Sequence, residues 1–253
     1  MVAALVGLAA VPVAPASPAS AATYFSISPA TWAYVDSQAP RTAFVNRDTD
    51  ARVGTTVERD GRSHTYRSYF TFDLARLRGA TVHQADFYTS ESAVNDCDAA
   101  APVELWRTRS VTSRTTWRNQ PAELEMIRSF DRGPGSGCPG YLGADVIVAV
   151  NEALARGDAS VTFELRVARA NETNPALGRR LDRPGLSFAT NHPPTVAELS
   201  LVEPDRPCGT AAAPSTGNDS TQFRARAVDE DESDYLTATF ALWEVGHFDE
   251  RRT

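Results

Sequence analysis

The stretch Arg67-Ser68-Tyr69-Phe70-Thr71-Phe72-Asp73-Leu74 constrains the fold of this chain more than any other. Tyr66, Ser68, Phe70, Phe72 and Leu74 put mostly apolar groups at even positions, while Arg67, Thr71 and Asp73 put polar groups at odd ones. Side chains on one face of a strand recur with a period of two, so the stretch reads as a half-buried strand with one face on a core.

The same alternation recurs at short intervals. Ala33 and Val35 alternate with Trp32 and Tyr34, Ala85 and Phe87 with Gln84, Asp86 and Tyr88, and Val103 and Leu105 with Glu104 and Trp106. Val161, Phe163, Leu165 and Val167 alternate with Thr162, Glu164 and Arg166 in the cleanest strand pattern of all. Asp60-Gly61, Gly133-Pro134-Gly135 and Arg183-Pro184-Gly185 supply the breaks. Helical spacing occurs once, at Val146, Val150 and Leu154, with Gly157 as a stop. The expected class is all-β, a two-sheet jelly-roll-like sandwich with one short helix.

The 253 residues, 42% hydrophobic and 23% charged, suffice for one or two cored domains. A boundary is expected at Asn191-His192-Pro193-Pro194, where consecutive prolines favour a stiff linker. It separates a sandwich over 23–190 from a second unit over 195–253. That unit offers three strands, 196–202, 223–227 and one through Leu236, Ala238, Phe240 and Leu242, which is fewer than an immunoglobulin-like sandwich needs. It reads as a partial, C-terminally truncated immunoglobulin-like domain. His64 in a turn and His192 in the linker read as solvated.

Residues 1–22 are dominated by Ala, Val, Pro, Leu and Ser and end in Ala19-Ser20-Ala21 before Ala22, the anatomy of a signal peptide without its basic n-region. Either the true start lies upstream or the segment is a low-complexity tail. Export is the expectation taken forward, and with it a secreted, extracellular location. No other run approaches the length of a membrane span, so no membrane insertion is expected.

The cysteines suit that compartment. Cys97 and Cys138 lie in polar, loop-like stretches with no second Cys or His at metal-ligand spacing, so a disulfide between them is expected. Cys208 is left over, in keeping with a lost partner. The net charge of −7, with all 25 cations arginine and no basic run, argues against a nucleic-acid partner.

Several short motifs from Trp32 to Phe188 occur in an order that resembles a known module. They are Tyr34-Val35-Asp36-Ser37, the strand Arg67 to Leu74, Val103-Glu104-Leu105-Trp106, Thr116-Trp117-Arg118-Asn119-Gln120-Pro121, and Asp145-Val146 leading into Val150. The region resembles the bacterial secreted DNRLRE domain, which is related to carbohydrate-binding module family 96. In such proteins an immunoglobulin-like domain commonly follows. The resemblance implies a non-catalytic carbohydrate-binding or adhesive module of a larger secreted or cell-surface protein, with a polysaccharide or cell-surface glycan as partner beside other domains of the parent chain.

The residues permit that role. With Phe70, Phe87 and Leu105 on the core, alternation sends Tyr69, Tyr88 and Trp106 to the opposite side, together with Arg67, Asp86 and Glu104. Aromatic rings stack on sugar C–H faces and charged groups bond the hydroxyls, so these six are the candidate ligand residues. The competing reading is a structural spacer with no ligand of its own, which requires that face to be covered. Trp117 reads as a plug at the end of the sandwich. Catalysis lacks parts: no carboxylate pair stands out among 32 acids, and the four histidines are scattered. No cofactor is expected beyond a structural calcium, for which Asp229, Asp231 and Asp234, and also Asp48 and Asp50, are weak candidates.

Overall fold

The computed structural model describes residues 22–47, 50–132, 134, 137–201, 206–207, 222–231, 236, 238 and 240. Within the unit spanning Tyr24–Thr190, the strands run Thr23–Ile27 (β1), Thr31–Asp36 (β2), Phe44–Val45 (β3), Ala51–Val57 (β4), Ser63–Asp73 (β5), Thr81–Val94 (β6), Val103–Thr108 (β7), Glu123–Phe130 (β8) and Tyr141–Asp145 (β9). The helix Ile147–Ala155 (α1) follows, then Ser160–Val167 (β10), Arg179–Leu181 (β11) and Gly185–Asn191 (β12). The fold is all-β with one short helix, as expected from the periodicity.

The strands form two layers. In the smaller, β1, β12, β6 and β9 lie side by side; in the larger, β5 sits among β2, β4 and β10, and β10 leads on to β7 and the edge strand β8. The strand β11 pairs with β6 on one side and β4 on the other, so the hydrogen-bond ladder passes unbroken from one layer to the next. Antiparallel registry puts Phe163 opposite Phe70 and Leu165 opposite Leu105.

The core lies between the layers. Phe72 on β5 and Phe163 on β10 meet Phe87 on β6 with ring centroids 6.4 and 5.9 Å apart in edge-on geometry. Such pairs contribute about 0.5–1.5 kcal/mol beyond the area they bury. Phe70, Phe72, Leu74, Leu105 and Phe188 complete it, all buried. The helix packs Ala149, Val150 and Ala153 inward. Cys97 and Cys138 are joined in a disulfide.

Three expectations change. The strand β5 is not half-buried: Tyr66 to Phe70 are buried on both faces, because loops cover the side away from the core. His64 is not a solvated turn residue. It lies in β5 with Nδ1 2.8 Å from Asp36 Oδ2 and Nε2 3.3 Å from Asp60 Oδ2, which draws it out of solvent. His192 is likewise engaged, its backbone N–H donating to Asp231 Oδ2 at 2.5 Å.

The residues from Asn191 onward belong to a second unit. There Thr195–Leu201 (β13) pairs antiparallel with both Arg206–Pro207 (β14) and Phe223–Val228 (β15). Residues 1–21, Asp48, Cys208, Asp234 and Leu242, on which several expectations fall, lie outside the described residues.

Candidate functional site

The six candidate ligand residues divide between the outer faces of two different layers. Arg67, Tyr69, Glu104 and Trp106 lie on the larger layer, and Asp86 and Tyr88 on the smaller. Alternation puts all six on faces away from the core, but it carries no information on which layer a strand joins.

The outer face of the larger layer is covered over Arg67 and Tyr69, while Glu104 and Trp106 stay half-buried. Tyr69 is 0% exposed and its hydroxyl donates to Gln120 Oε1 at 3.2 Å. The buried Arg67 guanidinium makes a two-pronged contact with Glu172, Nη2 to Oε1 at 2.7 Å and Nε to Oε2 at 3.0 Å, and Nη1 reaches Gln120. The Trp117 ring stacks over Arg67 at 5.3 Å, so it covers this face instead of plugging an end. Beside it, Arg166 lies over the Trp106 ring at 4.6 Å, and Glu104 Oε2 accepts from both Trp106 Nε1 and Arg166 Nε, at 2.8 and 3.0 Å.

Glu164 on β10 lies on the same face, opposite Tyr69 and Trp106 and between two guanidiniums, with Oε1 3.9 Å from Arg67 Nη1 and 3.8 Å from Arg166 Nη1. Neither carboxylate oxygen meets a donor in good hydrogen-bond geometry, although the Tyr69 hydroxyl, which donates to Gln120, lies close by. Burial drives the Glu164 pKa up to about 7 although both arginines pull it down. The arrangement is a second, polar core with every guanidinium committed to a neighbour.

The smaller layer is open at Tyr141 and Asp145, with Asp86 and Tyr88 half-buried beside them. Ala85, Phe87, Leu142 and Ala144 point into the core, so Asp86, Tyr88 and Ser90 on β6 and Tyr141, Gly143 and Asp145 on β9 point out. Registry sets Asp86 opposite Asp145, Tyr88 opposite Gly143 and Ser90 opposite Tyr141. Tyr141 is 64% exposed, and on β1 Tyr24, whose neighbours Phe25 and Ile27 pack on the core, is 74% exposed.

Two glycines make room for the rings. A Cβ on Gly143 would come 2.5 Å from Tyr141 Cε1, and one on Gly185 of β12 would meet the Tyr88 ring and hydroxyl. The rings therefore lie against backbone instead of standing off the sheet. Partial burial, then the charge of Asp86 and the neighbouring Tyr88, raise the Tyr141 pKa. The result is a shallow tyrosine surface bordered by carboxylates.

A family model for carbohydrate-binding module family 96 matches residues 23–177. The chain belongs to carbohydrate-binding module family 96. A comparison with curated proteins found no match. Modules of this kind are generally non-catalytic. The matched segment carries β6 and β9 entire, whereas the module's sandwich continues through β11 and β12, which supply Gly185 against Tyr88.

Tyr141, Asp145 and Tyr24, which the outer face of the smaller layer also carries, are not among the six candidates the alternation singles out. Tyr141 sits in Pro139-Gly140-Tyr141-Leu142-Gly143-Ala144, whose small residues hide the alternation, although a Tyr two residues before a Gly is itself a usable signal. Among the described residues no three acidic, His or Cys side chains gather to hold a metal. Asp229 Oδ1 accepts from the Asp231 N–H, Asp231 receives the His192 N–H, and Asp50 lies 3.9 Å from Arg180. No helix among the described residues is long and apolar enough to cross a membrane.

Proposed function

We propose that this module binds a polysaccharide on the outer face of the β1, β12, β6 and β9 layer, with Tyr88 and Tyr141 as stacking platforms and Asp86 and Asp145 as hydrogen-bond acceptors. One observation carries the reading: Tyr141 stays 64% exposed while its ring rests on Gly143. An exposed ring held against backbone is pre-ordered, so a sugar that stacks on it costs little side-chain entropy. The parent protein, on this reading, is a secreted or cell-surface multi-domain protein of DNRLRE type, with residues 1–22 as its export signal. Residues 191–194 act as a linker, and 195–253 begin an immunoglobulin-like domain.

A pull-down on insoluble polysaccharides tests the module. Wild-type protein is expected in the pellet with at least one polysaccharide, and Tyr88→Ala in the supernatant. Retention of Tyr88→Ala on every matrix that holds wild type would sink the reading. The spacer role keeps one observation in its favour, the closure of the larger layer over Tyr69. It predicts that wild type pellets with no polysaccharide at all.

A further inference from the structure

The loop of residues 109–122, which joins β7 to β8, lies over the outer face of the larger layer, and one side chain pins it to β5. Gln120 Oε1 accepts from Arg67 Nη1 at 2.7 Å and from the Tyr69 hydroxyl at 3.2 Å. Gln120 Nε2 in turn donates to the Trp117 carbonyl at 2.9 Å, and the Trp117 ring lies over the Arg67 guanidinium. Two donors of β5 thus hold the loop through a single neutral amide oxygen.

Glu164 stands beside both donors. It is fully buried, directly opposite Tyr69 across β5 and β10, and its Oε1 lies 3.9 Å from Arg67 Nη1, the same nitrogen that bonds Gln120. The charged and titratable groups of this cluster are Arg67 and Tyr69 from β5, Arg166 on β10 itself, Glu104 from β7, Glu123 from β8 and Glu172 from the segment after β10. Arg166 gives Nε to Glu104 and Nη1 to Glu123, and Arg67 gives Nε and Nη2 to Glu172, so these donors all end on carboxylates. Arg67 Nη1 and the Tyr69 hydroxyl end on an uncharged acceptor instead.

We propose that Glu164 is a pH-operated latch for the 109–122 loop: protonated, it leaves Arg67 and Tyr69 to Gln120, and ionised, it takes those donors and releases the loop from the layer. A hydrogen bond to a carboxylate is about twice as strong as one to a neutral oxygen, so the ionised form outcompetes Gln120 while Arg166 and Glu172 keep their partners. Closing the gap to Arg67 Nη1 takes a movement of about 1 Å. Burial holds the proton on Glu164 up to about 7 against the pull of Arg166 and Arg67, and Glu123 acts with burial. The face at Arg67 and Tyr69 is therefore sealed in acid and uncovered as pH rises through that value.

Hydrogen–deuterium exchange of the full chain, corrected for the chemical rate at each pH, tests the latch. In the wild type, exchange of residues 110–121 is expected to speed by about fivefold between about pH 6 and about pH 8, the equivalent of one net hydrogen bond. Strand β10 should remain protected, which separates loop release from weakening of the whole fold. In Glu164→Gln, which cannot ionise, the loop should exchange slowly at both pH values, and in Gln120→Ala fast at both. His64 faces Asp36 and Asp60 and is present in all three proteins, so its titration cancels in the comparison. The same rise in wild type and Glu164→Gln, no rise in the wild type, or a rise shared by β10 would overturn the latch. If Glu164→Gln does not fold, Gln120→Ala decides: a loop that keeps the wild-type pH dependence without Gln120 would overturn it.

Discussion

The ring of Tyr141 lies against the backbone of Gly143, two residues along the same strand, where an added Cβ would stand 2.5 Å from Cε1. Side chains two apart on a strand share a face, and only the missing Cβ lets the ring lie down. The posture of the Tyr141 ring is therefore set by a glycine as much as by the tyrosine itself.

Gly143→Ala should lift the Tyr141 ring off the sheet with little effect on the fold, because the displaced group is an exposed side chain. A stability change within about 1 kcal/mol is expected, together with a loss of polysaccharide binding approaching that of Tyr141→Ala. Gly185→Ala should act in the same way through Tyr88. Unchanged binding isotherms for both variants would show that ring posture does not matter.

Glu164 should make the module less stable as pH rises. Its ordinary value is 4.5 and its folded value about 7, so the folded state keeps a proton that the unfolded chain has released between those values. The stabilisation is fully present below 4.5 and is lost as pH climbs through about 7, an effect of up to about 3 kcal/mol. Glu164→Gln should match wild type near pH 4 and exceed it near pH 8 in chemical denaturation. Parallel pH profiles for the two proteins would contradict this.

His64 works in the same direction by a different cause. Burial opposes its charge, but the hydrogen bonds and charges of Asp36 and Asp60 outweigh that and raise its pKa above 6.5. The contribution is complete below 6.5 and disappears as pH rises through the folded value. An NMR titration of the His64 ring should show a midpoint above 6.5, and His64→Gln should flatten the stability profile there. A midpoint at or below 6.5 would refute the bridge.

The bridge between Cys97 and Cys138 closes 41 residues that include β7 and β8. Loop-closure entropy gives such a link about 4 kcal/mol on that model. A double Cys97→Ser and Cys138→Ser variant should unfold at lower denaturant by that order. Equal midpoints for the variant and wild type would show that the loop is already fixed by its strands.

What was legible in the sequence was local. Ser68, Phe70 and Phe72 announced β5, and the four-residue spacing of Val146, Val150 and Leu154 announced the helix, because both signals depend only on near neighbours. The burial of Arg67 and Tyr69 was not legible, since Gln120 and Glu172 that cover them lie 51 to 105 residues away. Nor could alternation separate Tyr88 from Trp106, whose strands belong to different layers. The proposed platform was half visible: Asp86 and Tyr88 stood in a clear strand, while Tyr141 and Asp145 sat in a five-residue strand whose small residues, Gly143 and Ala144, hide its alternation.

The central claim is that glycan contact lies on the smaller layer and not on the larger one. Isothermal titration of a bound polysaccharide against wild type, Tyr141→Ala and Trp106→Ala tests it most directly. The account predicts at least about a tenfold loss of affinity for Tyr141→Ala, about 1.4 kcal/mol, and wild-type affinity for Trp106→Ala. Wild-type affinity in Tyr141→Ala with binding lost in a folded Trp106→Ala would contradict it.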